Sequence, residues 1–360
     1  MGPGREEGDH MVKRTENPFT LTFGKEPYTA ITRYEDLNMI TDTFQAENPV
    51  TQTFLIEGIR GCGKTVLMTF AAKALGEDDR WIVIHLNPML DLLSGLASRL
   101  HQALKKGAGQ SILERGIQVS AAGFGLGIGG NSNPEDCINQ IEDSLEIIRK
   151  RKKRVLITID EVMPGKDMRV FASQYQIFLR EGHPLFLIMT GLYENIYAIQ
   201  NDPALTFLLR APKIKVGPLS ILQITRQYRD IFEIGEQEAK EMADITKGYA
   251  FAFQALGSAR FQNPEASMET ILEKLEEMLD DCVYRKIWAG LTKKEREITL
   301  AIDRDNIRTK EVCEKTSIPA TSFPKYRETL IRKGILIGRD HGYLSLALPR
   351  FYNVVRLYDV

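Results

Sequence analysis

The chain has 360 residues, of which 43% are apolar and 26% charged, a composition typical of a water-soluble globular protein with two or three domains. Its formal net charge of −1 excludes a global field that would attract nucleic acid or membrane, so any such binding must come from a local patch. Cys62, Cys137, Cys282 and Cys313 are far apart, which favours reduced thiols in a cytoplasmic protein over a disulfide framework, and the scattered histidines indicate no metal site.

The amino-terminal segment 1–24 is polar and rich in turn formers, and it is predicted to be disordered. It contains no signal-peptide core. No apolar run in the chain approaches the ~20 residues that span a bilayer, so no membrane partner is expected. A helix is predicted near 33–46.

Five short runs that are continuously apolar or β-branched follow, separated by stretches with helical spacing. The strands are predicted at 53–58, 81–86, 154–160, 184–190 and 213–219. The helices are predicted at 64–75, 91–106, 134–150, 168–181 and 192–209. Strands that alternate with helices and are apolar throughout are typical of a parallel sheet covered on both faces. The predicted fold class is therefore α/β, with a three-layer core around a five-stranded parallel sheet.

Residues 58–65, GIRGCGKT, match the phosphate-loop pattern G-x-x-x-x-G-K-[ST] between the first predicted strand and the next helix. Glycines allow backbone N–H groups to turn inward around phosphates. Lys64 would reach the β- and γ-phosphates, and the Thr65 hydroxyl would bind Mg²⁺. ATP and Mg²⁺ are therefore the predicted cofactors. The predicted cofactor-binding residues of the loop are Gly58, Arg60, Gly61, Cys62, Gly63, Lys64, Thr65 and Val66.

The run VLITIDE at 155–161 is an apolar strand that ends in Asp-Glu, as a Walker B strand does. Asp160 would hold Mg²⁺ through water, and Glu161 would orient and activate the attacking water. A solvated turn is the alternative for two acids at a strand end. The presence of the phosphate-loop pattern in the same chain favours the catalytic interpretation.

The stretch GLGIGG at 125–130 has the G-x-G-x-x-G spacing of a dinucleotide-binding loop and offers a competing nucleotide site. In that fold the helix begins within the glycine motif. Here Asn133 and Pro134 suit the cap and first position of a helix that begins after the glycines. Residues 117–130 are therefore predicted to form a glycine-rich hairpin.

Beyond the fifth predicted strand the sequence changes character. Residues 220–287 have helical spacing, and residues 291–360 predict three helices followed by two apolar runs around a turn, the order of a winged helix. Thr292 and Glu295 have capping-box spacing, and Gly334 suits the C-cap of the third helix. The block 291–360 contains 14 Lys and Arg against 9 Asp and Glu, so it is basic.

Together these motifs resemble the AAA+ ATPases, above all the Orc/Cdc6-like initiator and signal-transducing branches, and prokaryotic ATPases that join such a module to a winged helix. The resemblance covers about residues 25–360. It implies an AAA+ core at 25–219, a helical lid at 220–287 and a winged-helix domain at 288–360. It rests on GIRGCGKTVL, VLITIDEV, LFLIMTG, LLRAPKIKVGPLS and KGYAFAFQALG.

The resemblance also implies roles for single residues. Thr190 matches sensor 1, and Arg210 matches an arginine finger that acts across a subunit interface; a strand-capping threonine and a surface arginine are the alternatives. Arg33 lies in a segment that sits near the adenine in relatives. Phe251 stands where initiators carry the sensor 2 arginine, and Ala250 where signal-transducing ATPases carry proline, which implies slow hydrolysis.

The resemblance thus implies a cytoplasmic, Mg·ATP-dependent ATPase that acts as a switch, with ATP and ADP setting the position of the winged helix. Two alternatives stay open: a DNA-binding initiator or regulator whose nucleotide is mainly structural, and a protein-interaction signalling switch. An arginine finger in trans would require a nucleotide-dependent oligomer. Contact with double-stranded DNA is expected through Lys325, Arg327, Arg332, Lys333 and Arg339.

Overall fold

The computed structural model describes residues 16–22, 27–107, 134–338 and 342–358. Five strands form one sheet in the order β2-β3-β4-β1-β5, and all neighbouring pairs are parallel. The predicted five-stranded parallel sheet is therefore confirmed. The strands are β1 (Thr53–Glu57), β2 (Trp81–Leu86), β3 (Arg154–Ile159), β4 (Leu185–Gly191) and β5 (Lys213–Lys215).

Helices cover both faces of this sheet, because successive side chains of each strand point to opposite sides. Phe54 and Ile56 pack in one hydrophobic cluster with α1 and α2, whereas Leu55 packs in another with α3, α4 and α5. The hairpin predicted at 117–130, with its GLGIGG stretch, lies outside the described residues. The helices are α1 (Tyr34–Gln45), α2 (Lys64–Gly76), α3 (Leu92–Gly107), α4 (Pro134–Lys150), α5 (Lys166–Arg180) and α6 (Tyr193–Gln200).

Strand β5 is shorter than the apolar run to residue 219 predicts. The Val216 N–H still donates to the Glu57 carbonyl at 2.9 Å. Pro218 then follows, and a proline has no N–H to continue a ladder of hydrogen bonds. The chain therefore leaves the sheet at this point and enters the next group of helices.

The single helix predicted over 192–209 is interrupted. Pro203 begins a separate 3-10 helix (Pro203–Arg210), and the Asp202 side chain caps it by accepting a hydrogen bond from the Ala204 N–H. Proline is favoured at the start of a helical segment and disfavoured inside one, which explains the break.

None of the helices in the described ranges is both long and apolar enough to cross a membrane. Two further groups of elements follow β5. The first group, called the lid, comprises α7 (Ile221–Phe232), α8 (Glu236–Ile245), α9 (Ala250–Gln262), α10 (Met268–Leu279), a π-helical turn (Asp280–Tyr284) and α11 (Arg285–Ala289). The second group, called the tail, comprises α12 (Lys293–Ala301), β6 (Ile307–Arg308), α13 (Thr309–Thr316), α14 (Phe323–Arg332), β7 (Leu336–Ile337), β8 (Tyr343–Leu346) and α15 (Phe351–Val355).

The tail contains the caps that its sequence predicts. The Thr292 side chain accepts from the Glu295 N–H and the Glu295 side chain accepts from the Thr292 N–H, so the capping box is complete. Gly334 follows α14 with φ of +73°, in the left-handed region that favours glycine. The three tail strands form an antiparallel sheet in the order β6-β8-β7. The winged-helix assignment and the domain boundaries stay predictions.

Residues 16–22 correct the expectation that all of segment 1–24 is disordered. Phe19 is only 5% exposed, and its ring packs against three aromatic side chains of the lid. The Asn17 side-chain amide donates to the Ser258 hydroxyl at 2.9 Å. One buried aromatic ring with polar anchors beside it is enough to fix a short segment whose composition is otherwise polar. The rest of the segment lies outside the described residues.

Gly257→Ala tests this docking. A β-carbon on Gly257, in α9, would collide with the Phe19 ring. Overpacking of this kind costs about 1–3 kcal/mol, and we expect that loss in the free energy of unfolding measured in urea. Gly95→Ala in α3 is the matched control, because its β-carbon would lie at an ordinary contact distance of 3.5 Å from Leu86. An equal effect of both substitutions would contradict the docking of Phe19.

Candidate nucleotide-binding site

The loop at residues 58–65 joins β1 to α2 and has the backbone that a phosphate loop requires. Gly61 and Gly63 have φ of +75° and +99°, where a side chain would be strained. Gly63 is the N-cap of α2 and provides no side-chain acceptor. The first turn of α2 therefore has no side-chain cap, and helix N-termini of this kind bind anions such as phosphate.

The lid covers the outer side of this loop through two hydrogen bonds. The Tyr249 hydroxyl donates to the Arg60 carbonyl at 2.6 Å, and the Phe251 N–H donates to the Gly61 carbonyl at 3.1 Å. Burial raises the pKa of the Tyr249 hydroxyl well above its ordinary value. The hydroxyl therefore stays protonated and continues to donate at neutral pH.

Arg33 binds the following carbonyl of the loop. Its guanidinium donates to the Cys62 carbonyl at 2.9 Å and to the Gly217 carbonyl at 2.7 Å, and so joins the loop to the segment that leads into the lid. Burial lowers the pKa of Arg33, but an arginine remains charged at physiological pH. A β-carbon on Gly63 would lie 3.2 Å from the guanidinium, so this positive charge lies beside the start of α2.

The residues predicted to act on Mg²⁺ and the γ-phosphate meet at the carboxyl edge of the sheet. The Thr65 hydroxyl donates to the Asp160 carboxylate at 2.8 Å, and the Thr190 hydroxyl hydrogen-bonds to the other oxygen of that carboxylate. Hydroxyl and carboxylate oxygens are suitable ligands for Mg²⁺, which is often completed by water and phosphate oxygens. No cluster of three or more His, Cys, Asp or Glu that could hold a metal occurs in the described ranges. The residues present thus fit Mg²⁺ bound together with a nucleotide.

Glu161 has a strained backbone, with φ of +52° in a residue other than glycine. Its N–H donates to the Thr190 hydroxyl at 3.2 Å and to the Asp160 carboxylate at 3.1 Å, which holds this conformation. The Glu161 carboxylate is 62% exposed and pairs with the Arg60 guanidinium at 3.4 Å. It is therefore accessible to water on the side of the loop where the γ-phosphate is expected.

The remaining predicted residues lie in the packing behind the loop, along the cleft, or away from the cleft. A β-carbon on Gly58 would lie 2.6 Å from the Cys62 sulfur, so these two small residues are required by packing on the buried side of the loop. Burial raises the pKa of the Cys62 thiol, which keeps it neutral. Val66 and Arg33 line the cleft between loop and lid. Arg210 is exposed at the end of the 3-10 helix and does not line this cleft.

Sequence reasoning missed the closure of the cleft by Tyr249 and Gln254. The Gln254 side-chain oxygen accepts from the Thr20 N–H and from the Thr29 hydroxyl, each at 3.0 Å, and this brings the amino-terminal segment over the cleft. The sequence feature that indicates this role is in GYAF at 248–251, where a tyrosine immediately precedes a helix of the lid. The partner atoms are backbone carbonyls, which no side-chain pattern reveals.

The tail packs directly against the core beside the phosphate loop. A β-carbon on Gly334 would lie 3.3 Å from the β-carbon of Ile59, so the end of α14 touches the loop. The Arg332 guanidinium donates to the Tyr193 hydroxyl at 2.9 Å and lies 5.7 Å from the centre of that ring. The tail is therefore held both by the loop and by α6.

This packing corrects part of the expected DNA-binding surface. Lys333 is only 14% exposed and lies between the carboxylates of Glu295, at 3.0 Å, and Glu194, at 3.6 Å. Arg332 contacts the core as described. In this arrangement neither cation is free for a phosphate backbone, because both are engaged by partners within the chain.

The other three residues of that surface differ from one another. Lys325 is exposed. Arg327 donates to the Gly338 carbonyl at 3.1 Å, within the tail itself. Arg339 lies outside the described residues.

Comparison with solved structures confirms the resemblance in fold. The chain is similar to a Walker-type ATPase of Pyrococcus abyssi, with a TM-score of 0.62 and 15% identity over 91% of this chain and 96% of that one. It is also similar to the Aeropyrum pernix ORC2 protein in its ADPNP–ADP complexes, with a TM-score of 0.59 and 13% identity over 93% and 96% of the two chains. The chain therefore shares the fold of these two proteins and resembles the Orc/Cdc6-like AAA+ P-loop ATPases.

Comparison by sequence covers the end of the chain alone. Residues 281–354 match the family described as domain of unknown function (DUF8462). This match begins in the π-helical turn of the lid and includes most of the tail. No curated protein matches the chain.

Gly61→Ala tests the fit between loop and lid. Gly61 and Gly182 both have φ of +75°, but only the β-carbon on Gly61 would collide, and it would meet the Tyr249 hydroxyl. We expect Gly182→Ala to lower the free energy of unfolding by about 1–2 kcal/mol through backbone strain. Gly61→Ala should lower it by about 1–3 kcal/mol more. Equal losses in urea unfolding would show that the lid does not press on the loop.

Proposed function

We propose that the chain binds Mg·ATP at residues 58–65 and hydrolyses it slowly, as a nucleotide-controlled switch. The observation that supports this most is the Asp160 carboxylate, which accepts the hydroxyls of Thr65 and Thr190 beside the uncapped N-terminus of α2. If the two acids at the end of β3 only formed a solvated turn, neither hydroxyl would be needed as a hydrogen-bond donor. An anion site beside a site for a hard cation is what a nucleoside triphosphate with Mg²⁺ requires.

Each side chain of the site has a role that follows from its position. Lys64 is 7% exposed and donates to the Ile59 carbonyl at 3.0 Å, from which its ammonium group would move to phosphate oxygens. Thr65 and Asp160 would hold Mg²⁺, whose charge offsets that of the phosphates when it is bound. Glu161 would orient the attacking water and accept its proton.

Two features of the cleft support slow turnover. The Glu161 carboxylate is paired with Arg60 and has to leave that pair before it can act on water. Phe251, which is 7% exposed and lines the cleft, brings no charge to the position where initiators carry an arginine. Arg33 supplies a positive charge from the opposite side, but its guanidinium is held by backbone carbonyls.

The connection from this site to the tail is short. Thr190 contacts Asp160 near the end of β4, and three residues later Tyr193 holds Arg332 of the tail. Ile59, in the loop itself, packs against Gly334. A ligand that binds one arrangement of these contacts more tightly shifts the population of docked and released tails. This is the physical basis for a switch.

Lys64→Ala and Glu161→Gln separate binding from hydrolysis. We expect Lys64→Ala to abolish measurable ATP binding, because it removes the cation that pairs with the phosphates. Glu161→Gln should retain ATP binding and lose about 10²- to 10⁴-fold in kcat, the usual contribution of a general base. Isothermal titration and a phosphate-release assay measure the two effects.

Lys166→Ala is the control for lost charge, since Lys166 is exposed at the start of α5. It should leave ATP binding and kcat unchanged. ATP affinity that survives Lys64→Ala would refute the assignment of the loop. A full rate in Glu161→Gln would refute the role of that carboxylate alone.

Tyr193→Ala tests the connection to the tail. The substitution removes the acceptor and the ring that hold Arg332, so we expect faster amide hydrogen exchange in α14 without a change in the rest of the sheet. Tyr28→Ala is the matched control, because Tyr28 is 92% exposed and lies in the segment before α1. Equal exchange rates in the two variants would contradict the docking contact.

A second candidate function is DNA binding by a released tail. It is favoured by the 14 cations against 9 acids in residues 291–360 and by the exposure of Lys325. Because the docked tail holds Arg332 against Tyr193 and Lys333 beside Glu194, Tyr193→Ala should raise the affinity for duplex DNA. A signalling switch that binds a protein partner would leave DNA affinity unchanged in that variant.

Assembly into a nucleotide-dependent oligomer belongs to the same proposal. Arg210 is exposed and follows the 3-10 helix, where its guanidinium is accessible to a neighbouring subunit. An arginine supplied in this way would stabilise the charge that develops on the transferred phosphoryl group.

A further inference from the structure

A basic turn lies at the opposite end of the parallel strands from the phosphate loop. Residues 149–154, RKRKKR, are all cationic, and they connect the end of α4 to the start of β3. The phosphate loop follows the carboxyl end of β1, whereas this turn precedes the amino end of β3. Since the strands are parallel, the two lie at opposite ends of the sheet.

Half of these cations already have partners. Arg149 and Lys150 share the carboxylate of Glu146, at 2.7 and 3.5 Å. The Arg154 guanidinium binds the Phe44 carbonyl and lies over two aromatic rings, so it is part of the core.

The three cations in the middle are different. Arg151, Lys152 and Lys153 form no ion pair with any residue that the structure describes. Lys152 is exposed, and its two neighbours are partly exposed. Three consecutive cations without an ion-pair partner concentrate positive charge at this turn within a chain of net charge −1, and the nearby carboxylates of Asp78 and Glu47 act on Arg154 beside them.

The turn has a defined backbone, in which a lysine occupies a position that favours glycine. The Lys153 N–H donates to the Ile148 carbonyl at 3.1 Å and the Lys152 N–H donates to the Arg149 carbonyl at 2.9 Å, the pair of bonds that closes a helix in a Schellman motif. In that motif the left-handed position is usually glycine. Here Lys152 occupies it, with φ of +55°. The chain thus carries a lysine at a position where the backbone conformation favours glycine.

We propose that this basic turn, residues 151–153, binds the phosphate backbone of nucleic acid. Adjacent cations without an apolar surface recognise negative charge along a chain, without reading its sequence. A membrane surface fits less well, because binding to lipid usually adds apolar insertion. None of the exposed large hydrophobic side chains in the described ranges lies in α4, this turn or β3. The surface is separate from the tail and does not depend on ATP.

The experiment uses the full chain and a fluorescent DNA duplex at several NaCl concentrations. We expect the triple variant Arg151→Gln/Lys152→Gln/Lys153→Gln to bind at least 10-fold more weakly at low salt. The slope of log K against log[NaCl] should become less steep by about 2 to 3, since each phosphate contact contributes about 0.9. ATP binding should be unchanged, so this test is independent of the proposed switch.

Two further variants exclude trivial causes. Lys152→Gly removes a charge and places glycine at a left-handed position, so it should retain or raise Tm and still weaken DNA binding. Lys166→Gln/Lys240→Gln/Lys286→Gln removes the same charge from exposed lysines elsewhere and should keep most of the affinity.

The following outcomes would overturn the proposal. One is an equal loss of affinity in the two triple variants, which would indicate nonspecific charge. Another is an unchanged salt slope in the basic-turn variant. The last is a variant that keeps its affinity for the duplex but loses binding to anionic phospholipid vesicles, which would assign the turn to a membrane surface.

Discussion

The structure depends on the outward-facing carbonyl groups of four consecutive residues, Ile59 to Cys62. A loop that turns its N–H groups towards a phosphate leaves its carbonyls on the other side, where each needs a donor. Each of the four carbonyls accepts from a different donor: in chain order, the Lys64 ammonium, the Tyr249 hydroxyl, the Phe251 N–H and the Arg33 guanidinium. The loop, the lid and the segment before α1 therefore share one set of hydrogen bonds. We therefore expect a change in loop conformation to alter the hydrogen bonds of both flanking parts.

A second constraint acts at the opposite side of the cleft. Thr190 and Asp160 connect the end of β4 to the cation site, and α6 begins three residues later with the tyrosine that holds the tail. The hydroxyl–carboxylate pair of Thr190 and Asp160 is partly buried, and breaking it leaves a polar group without its partner, which costs free energy. The contacts at Thr190 and at Tyr193 are therefore expected to change together. In the proposed switch, the tail would respond to the nucleotide without contacting it.

The parallel sheet could be predicted from the sequence because it depends on a local pattern, apolar runs that alternate with helical stretches. The proposed phosphate loop and acidic pair rest on patterns that are equally local, glycines at required backbone angles and acids at a strand end. Prediction from the sequence failed where the deciding partner is distant or is a backbone atom. Phe19 is ordered by aromatic rings of the lid more than 200 residues away in sequence. Arg332 and Lys333 have the pattern of a DNA-binding helix, but their partners lie on α6 and α12, which only the fold brings close. The early end of β5 could have been predicted from Pro218.

The central claim is that nucleotide at the phosphate loop controls the docking of the tail. Amide hydrogen exchange of residues 323–337, measured on the same protein with Mg·ADP and with a non-hydrolysable Mg·ATP analogue, tests it most directly. We expect faster exchange of this segment with the ATP analogue than with ADP, and no such difference in Lys64→Ala. Identical exchange in the two nucleotide states, in a protein shown to bind both, would contradict it.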